Sequence, residues 1–176
     1  MLLAPVVLAW MVAAVGSPVN PDHIPLPLTV TCMNTGSVDG HADYGTYDGN
    51  TFTGPIRIKI NTPVCKTANR FVRKPRLRPN NDSQRDPAWA LFVITHEPQH
   101  IAHPFYSEAE ADCAALAQIK PFARALGASR VTALRIYLRA RWWANQEPKI
   151  YRSRCTAGTS FRIRTPPGVR THHTGS

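Results

Sequence analysis

The chain has no CxxC pair: its four cysteines, Cys32, Cys65, Cys113 and Cys155, stand far apart. That spacing excludes a cysteine-built zinc knuckle. No RNP-like, helix-turn-helix or zinc-finger pattern is present, which argues against nucleic acid as the partner. No internal repeat is present either, so the chain is not a solenoid. The longest apolar run, Leu2 to Val15, is too short to span a bilayer comfortably. Acidic residues are scarce, 11 Asp plus Glu against 21 Lys plus Arg. A net charge of +10 favours anionic surfaces, such as acidic cell-surface polymers or lipid headgroups.

What is there fits one exported domain. A length of 176 residues allows a single core of ordinary size. The run Leu2 to Val15 ends in the small residues Gly16 and Ser17, the pattern of a secretory leader over residues 1–16. An uncleaved membrane anchor or a buried helix is the alternative for this segment. Four prolines between Ser17 and Pro27 predict an extended entry segment over residues 17–27. An even number of cysteines in an exported chain predicts two disulfides. We expect Cys32 with Cys65 and Cys113 with Cys155, since each pair staples neighbouring segments.

The domain is expected over residues 28–164, followed by a disordered tail over residues 165–176. Leu28, Val30 and Cys32 alternate as one face of a strand, and Ile56, Ile58 and Ile60 alternate with Arg57 and Lys59 in a second. Between them, Asn34 to Gly54 is rich in Gly, Asp, Asn and Thr and predicts a long loop or loose hairpin. Arg70 to Arg85 reads as an exposed, mobile basic loop.

A helical block follows. Asp86 as N-cap and Pro87 at the first helical position launch a helix to about Ala102, closed by Pro104. Ser107 and Glu110 form an S-x-x-E capping box for a second helix that Gly127 ends. Ser129 starts a third, to about Asn145, whose residues Val131, Leu134, Leu138 and Trp142 recur at helical spacing and are expected to pack the core. A closing strand is expected over Ser160 to Arg164.

The chemistry concentrates in His96-Glu97-Pro98-Gln99-His100, an H-E-x-x-H sequence. Residues four apart share a helix face, so His96 and His100 can hold one metal ion while Glu97 stands beside it to take a proton from water. Three of the four Glu lie within Glu97 to Glu110 and three of the seven His within His96 to His103, a clustering that scattered surface residues do not show.

Downstream, Glu108 and Asp112 stand at E-x-x-x-D spacing. Together with H-E-x-x-H, this resembles the gluzincin metallopeptidases, the thermolysin-type and membrane CaaX-type enzymes. The short connection to Glu108-Ala109-Glu110-Ala111 is also similar to the ImmA/IrrE-type zinc peptidases. The resemblance covers residues 90–115. It implies Zn2+ held by His96, His100 and Glu108, Glu97 as general base, and Asp112 as the carboxylate that orients an imidazole.

Other roles stay open. Glu110 serves as capping-box partner or as ligand, and Asp112 also suits the first turn of any helix. His103 falls within about 60° of arc of His96 and His100, and can replace Glu108, orient substrate or sit exposed at the helix end. Two departures stand against the family pattern. Pro98 lies inside the motif, where it removes a backbone donor and should kink the helix. Tyr106 occupies the place of the third histidine of the metzincin extension.

The expected fold is α+β: a zincin-like helical hairpin bearing the metal, a third helix behind it, and a small disulfide-stapled β-sheet. The expected function is a secreted zinc-dependent metallohydrolase acting on a peptide or protein substrate. The alternative is a secreted zincin-like binding module without turnover.

Overall fold

The computed structural model describes residues 2–15, 28–36, 38–43, 45–47, 52–146 and Cys155. The two alternating segments become β1 (Leu28–Met33) and β5 (Ile56–Asn61), paired in parallel with Leu28 opposite Ile56 and Met33 opposite Asn61. The segment expected as a loop contributes a third strand, β2 (Gly40–Asp43), antiparallel to β5 on its other side, so the sheet order is β1-β5-β2. It also holds a two-stranded hairpin, β3 (Thr46–Tyr47) with β4 (Phe52–Thr53). Ile58 and Ile60 are fully buried.

Among the described residues, elements on several sides surround one central helix. α3 (Pro87–Ala102) is packed by α1 (Pro5–Val15), α2 (Thr62–Arg73), α4 (Glu108–Ala125), α5 (Arg130–Ala144), β2 and β5. Every residue of α3 from Pro87 to Gln99 is buried. This suits its first half, Pro87 to Ile94, which is apolar all round, while Thr95, His96, Glu97 and Gln99 further on are buried polar residues. The architecture is α+β, with five helices and a small three-stranded mixed sheet among the described residues.

The start of α3 is held by a buried charge. Asp86 is fully buried, caps the helix by accepting from the Ala88 amide at 2.8 Å, and accepts from the Asn80 amide and from Arg139 Nε of α5, both at 3.0 Å. Three donors satisfy the carboxylate, which would otherwise be costly to bury. Further on, α3 runs through Pro98 without interruption. Side-chain donors bracket the proline: Thr95 Oγ1 bonds the Phe92 carbonyl at 2.9 Å and Gln99 Nε2 the Thr95 carbonyl at 3.2 Å.

Both disulfides have the expected pairing. Cys32–Cys65 ties β1 to α2, and Cys113–Cys155 ties α4 to the segment beyond α5. Two such bridges suit an extracellular or otherwise oxidising compartment. Among the described residues no helix is long and apolar enough to cross a membrane. Pro5–Val15, within the stretch expected as a leader, forms α1; its Val7 and Met11 are fully buried and the Trp10 ring lies 4.2 Å from that of Phe122 in α4.

Three expectations are corrected. Arg70 to Arg73 belong to the last turn of α2, not to a loop, and Ser83–Arg85 form a short 3-10 turn. Pro63 near the start of α2, with buried Val64, Cys65, Ala68 and Phe71, makes this an amphipathic helix whose basic residues point outward. Second, Asn34 to Gly54, expected as a long loop or loose hairpin, holds the β3–β4 hairpin but also β2, which joins the sheet. Third, Val131, Leu134, Leu138 and Trp142 are exposed; α5 buries Ala133, Ile136, Ala140 and Ala144 instead. Small residues let α5 approach α4 closely, which leaves the larger apolar face outside. The closing strand, the entry segment and the tail lie outside the described residues.

Candidate metal centre

α3 and α4 form the hairpin that builds the centre. The capping box is complete: Ser107 Oγ accepts from the Glu110 amide at 3.4 Å, and Glu110 Oε2 accepts from the Ser107 amide at 2.8 Å. This fixes the first turn of α4, where Glu108 sits, and places Asp112 one turn further on the same face.

The two histidines of α3 meet this face. His96 Nε2 and His100 Nε2 lie 2.9 Å apart, and Glu108 Oε2 lies 3.2 Å from the first and 3.4 Å from the second. Two nitrogens and a carboxylate oxygen thus converge as a group able to hold a metal ion. At the usual zinc-to-ligand lengths, ligand atoms of a tetrahedral ion are separated by about 3.3 Å, and the three observed edges bracket that value. On its other side, His96 Nδ1 lies 2.9 Å from Asp112 Oδ1. The two atoms are at ion-pair distance without hydrogen-bond alignment; a carboxylate so placed would favour the proton on Nδ1 and leave the lone pair of Nε2 for the other donors.

The charges are strongly coupled. Burial lowers the proton affinity of His96, but contact with the Asp112 and Glu108 carboxylates and the charge of Glu97 outweigh it, and the metal-free imidazole is raised to about 10. His100, together with His96, holds Glu108 well below the usual carboxylate range. Glu97 is buried, and burial raises it to about 7 against the opposing pull of His96 and His100. It is thus a carboxyl group close to the donors, outside the three-atom cluster, and poised to exchange a proton near neutrality.

The remaining candidates lie elsewhere. Glu110 is held in the capping box. His103 is the C-cap residue of α3, outside the donor cluster, with its ring stacked on Tyr106 at 4.2 Å. Burial lowers its proton affinity.

Two residues that the sequence did not single out shape the site. A side chain at Gly40 would overlap Glu97 Oε1 and stand 2.7 Å from its Cγ and Cδ. The backbone of Gly40 is not in the left-handed region, so glycine serves there only to leave room. The preceding residue holds the strand in place. Asp39 accepts from Trp89 Nε1 of α3 at 2.6 Å and from Gln84 Nε2 at 2.7 Å, and its carbonyl accepts from the Asn61 amide at 2.9 Å. In sequence, Asp39-Gly40 reads as a turn, and nothing local says that it faces the motif.

This contact gives a stability prediction. Gly40→Ala should cost about 1–3 kcal/mol through overpacking, and most of that cost should vanish in a Glu97→Ala background. A double-mutant cycle from denaturant unfolding measures the coupling; additive losses would show that Gly40 matters for the strand and not for Glu97.

Comparison with protein-family models, with curated proteins and with solved structures returned no match. The reading of this site therefore rests on its residues and their geometry.

Proposed function

We propose that the chain is a zinc-dependent metallohydrolase of the exported space, cleaving peptide bonds in peptide or protein substrates. The observation that carries this is the convergence of His96 Nε2, His100 Nε2 and Glu108 Oε2, with the buried Glu97 carboxyl beside them. Imidazole nitrogens with one carboxylate oxygen suit zinc, and three protein ligands leave a coordination position open. Bound zinc would supply Lewis acidity towards a carbonyl and lower the pKa of water.

The chain's own residues do the rest. Asp112 holds His96 in its tautomer. Glu97 accepts the proton of the attacking water and passes it to the leaving amine, a task suited to a buried carboxyl group that lies outside the donor cluster. Gly40 and Asp39 keep the strand beside that carboxyl from crowding it.

The test combines metal content with cleavage of an unstructured peptide library, with and without chelator. One zinc per chain and chelator-sensitive cleavage are expected. Absence of zinc after refolding with excess metal would sink the reading. Zinc without cleavage would favour a binding module.

A pH dependence follows as well. Both Glu97, ordinarily 4.5 and raised to about 7, and His96, ordinarily 6.5 and raised to about 10, bind protons more tightly in the metal-free fold than in the unfolded chain. Their contribution to stability is present on the acid side and is lost as pH rises through those raised values. Glu108, held low, acts oppositely, and its contribution is lost only as pH falls into its low range. Metal binding must displace the His96 proton, so the gain in Tm on adding zinc should be larger at about pH 8 than at about pH 6. Thermal melts of loaded and chelated protein measure it, and a pH-independent gain would contradict the proton competition.

A further inference from the structure

The exposed face of α5 has no role in the metal centre. Val131, Leu134, Leu138 and Trp142 are 60%, 48%, 54% and 44% exposed. Spaced three, four and four apart, they fall within about 80° of arc and form a ridge about 17 Å long. Arginines border it on both sides, Arg130 and Arg141 along one edge and Arg135 along the other. Among the described residues none of these three has a carboxylate within 4.0 Å. The sequence from Cys113 to Gln146 contains no Asp or Glu at all. Trp142 is held from behind by Arg139, whose guanidinium carbon lies 4.3 Å from its ring centre and whose Nε is bonded to buried Asp86.

We propose that this ridge is a docking surface for an anionic lipid membrane, with α5 lying in the plane of the headgroups. Leucines and Trp142 would enter the interface while the arginines reach phosphates on either side, as amphipathic helices do. Charge selects this occupant over the two nearest alternatives. A second copy packed on the same face would bring arginine against arginine. The chain beyond Gln146 carries Lys149, Arg152, Arg154, Arg162, Arg164 and Arg170 against the single acid Glu147, and repels the same border. Nucleic acid would satisfy the arginines but leave four apolar side chains in a polar groove.

The experiment is sedimentation of the full chain with vesicles of phosphatidylglycerol and phosphatidylcholine, and of phosphatidylcholine alone. Binding to the first and not to the second is expected, weakening with salt. Replacing Arg130, Arg135 and Arg141 by Gln should weaken it on the order of 10²-fold, from the usual contribution of each cation near such a surface. Leu134→Glu with Leu138→Glu should abolish it while circular dichroism stays unchanged, since both positions are exposed. Tryptophan fluorescence should be quenched by brominated acyl chains in wild type and much less in Trp142→Phe. Leucine-independent binding would mean general attraction by a chain of +10 charge, and would overturn the proposal. So would absence of binding, or a dimer in solution that the leucine pair disperses.

Discussion

Glu97→Gln should leave zinc content and fold intact and lower hydrolysis by roughly two to four orders of magnitude, the usual scale of general-base catalysis. The expectation rests on a division of labour. The three donor atoms that could hold a metal, on His96, His100 and Glu108, converge without Glu97. Glutamine keeps the shape of the side chain, so it fits the room left by Gly40 as glutamate does. It removes a buried group whose ionised form is disfavoured by desolvation, so stability should hold or rise slightly. Wild type, Glu97→Gln and chelated wild type would be assayed in parallel on an unstructured protein. Cleavage that survives the substitution would point to a contaminant or another mechanism. If zinc-loaded wild type is itself silent, Pro98→Ala becomes the follow-up, because the proline lies between the candidate base and His100.

Ligand removal should produce the largest change in metal content. His96→Ala or His100→Ala should leave no stoichiometric zinc, and Glu108→Ala should weaken binding severely while leaving two imidazoles in place. Asp112→Asn should lower affinity by about 10–100-fold, since it touches only the far nitrogen of His96. Glu110→Ala is the control. It should cost about 1 kcal/mol of helix capping and leave the metal bound. Elemental analysis and competition with a chromogenic chelator rank all five variants; an empty site in Glu110→Ala would mean that the assignment on α4 is wrong by two residues.

The site was legible in sequence wherever its geometry is local. His96 and His100 sit four apart on one helix, as do Glu108 and Asp112, and the Ser107 capping box announces where the second helix begins. Helix periodicity alone then puts each pair on a face. That the two faces meet depends on the short 103–107 connection. What escaped was long-range. β2 could not be recognised because Gly40 to Asp43 contains one larger apolar residue, Ala42, and gains its stability from pairing with β5. Gly40 meets Glu97 across 57 positions of chain, and Arg139 meets Asp86 across 53. Pattern also misjudged α5, where Val131, Leu134, Leu138 and Trp142 made a clear stripe facing outward. Periodicity reports that a helix has an apolar face, but a row of alanines opposite it can be the face that packs.

The donors differ in how firmly they are held. His96 and its turn belong to the most enclosed helix of the fold, whereas the Glu108 side chain is half exposed on the first turn of α4. Local opening should therefore free Glu108 long before it frees the histidines. Glu108 would then be the first of the three donors released, and a competing chelator would approach from the α4 side. The capping box would then act as a latch on that donor, and loosening it should speed metal exchange.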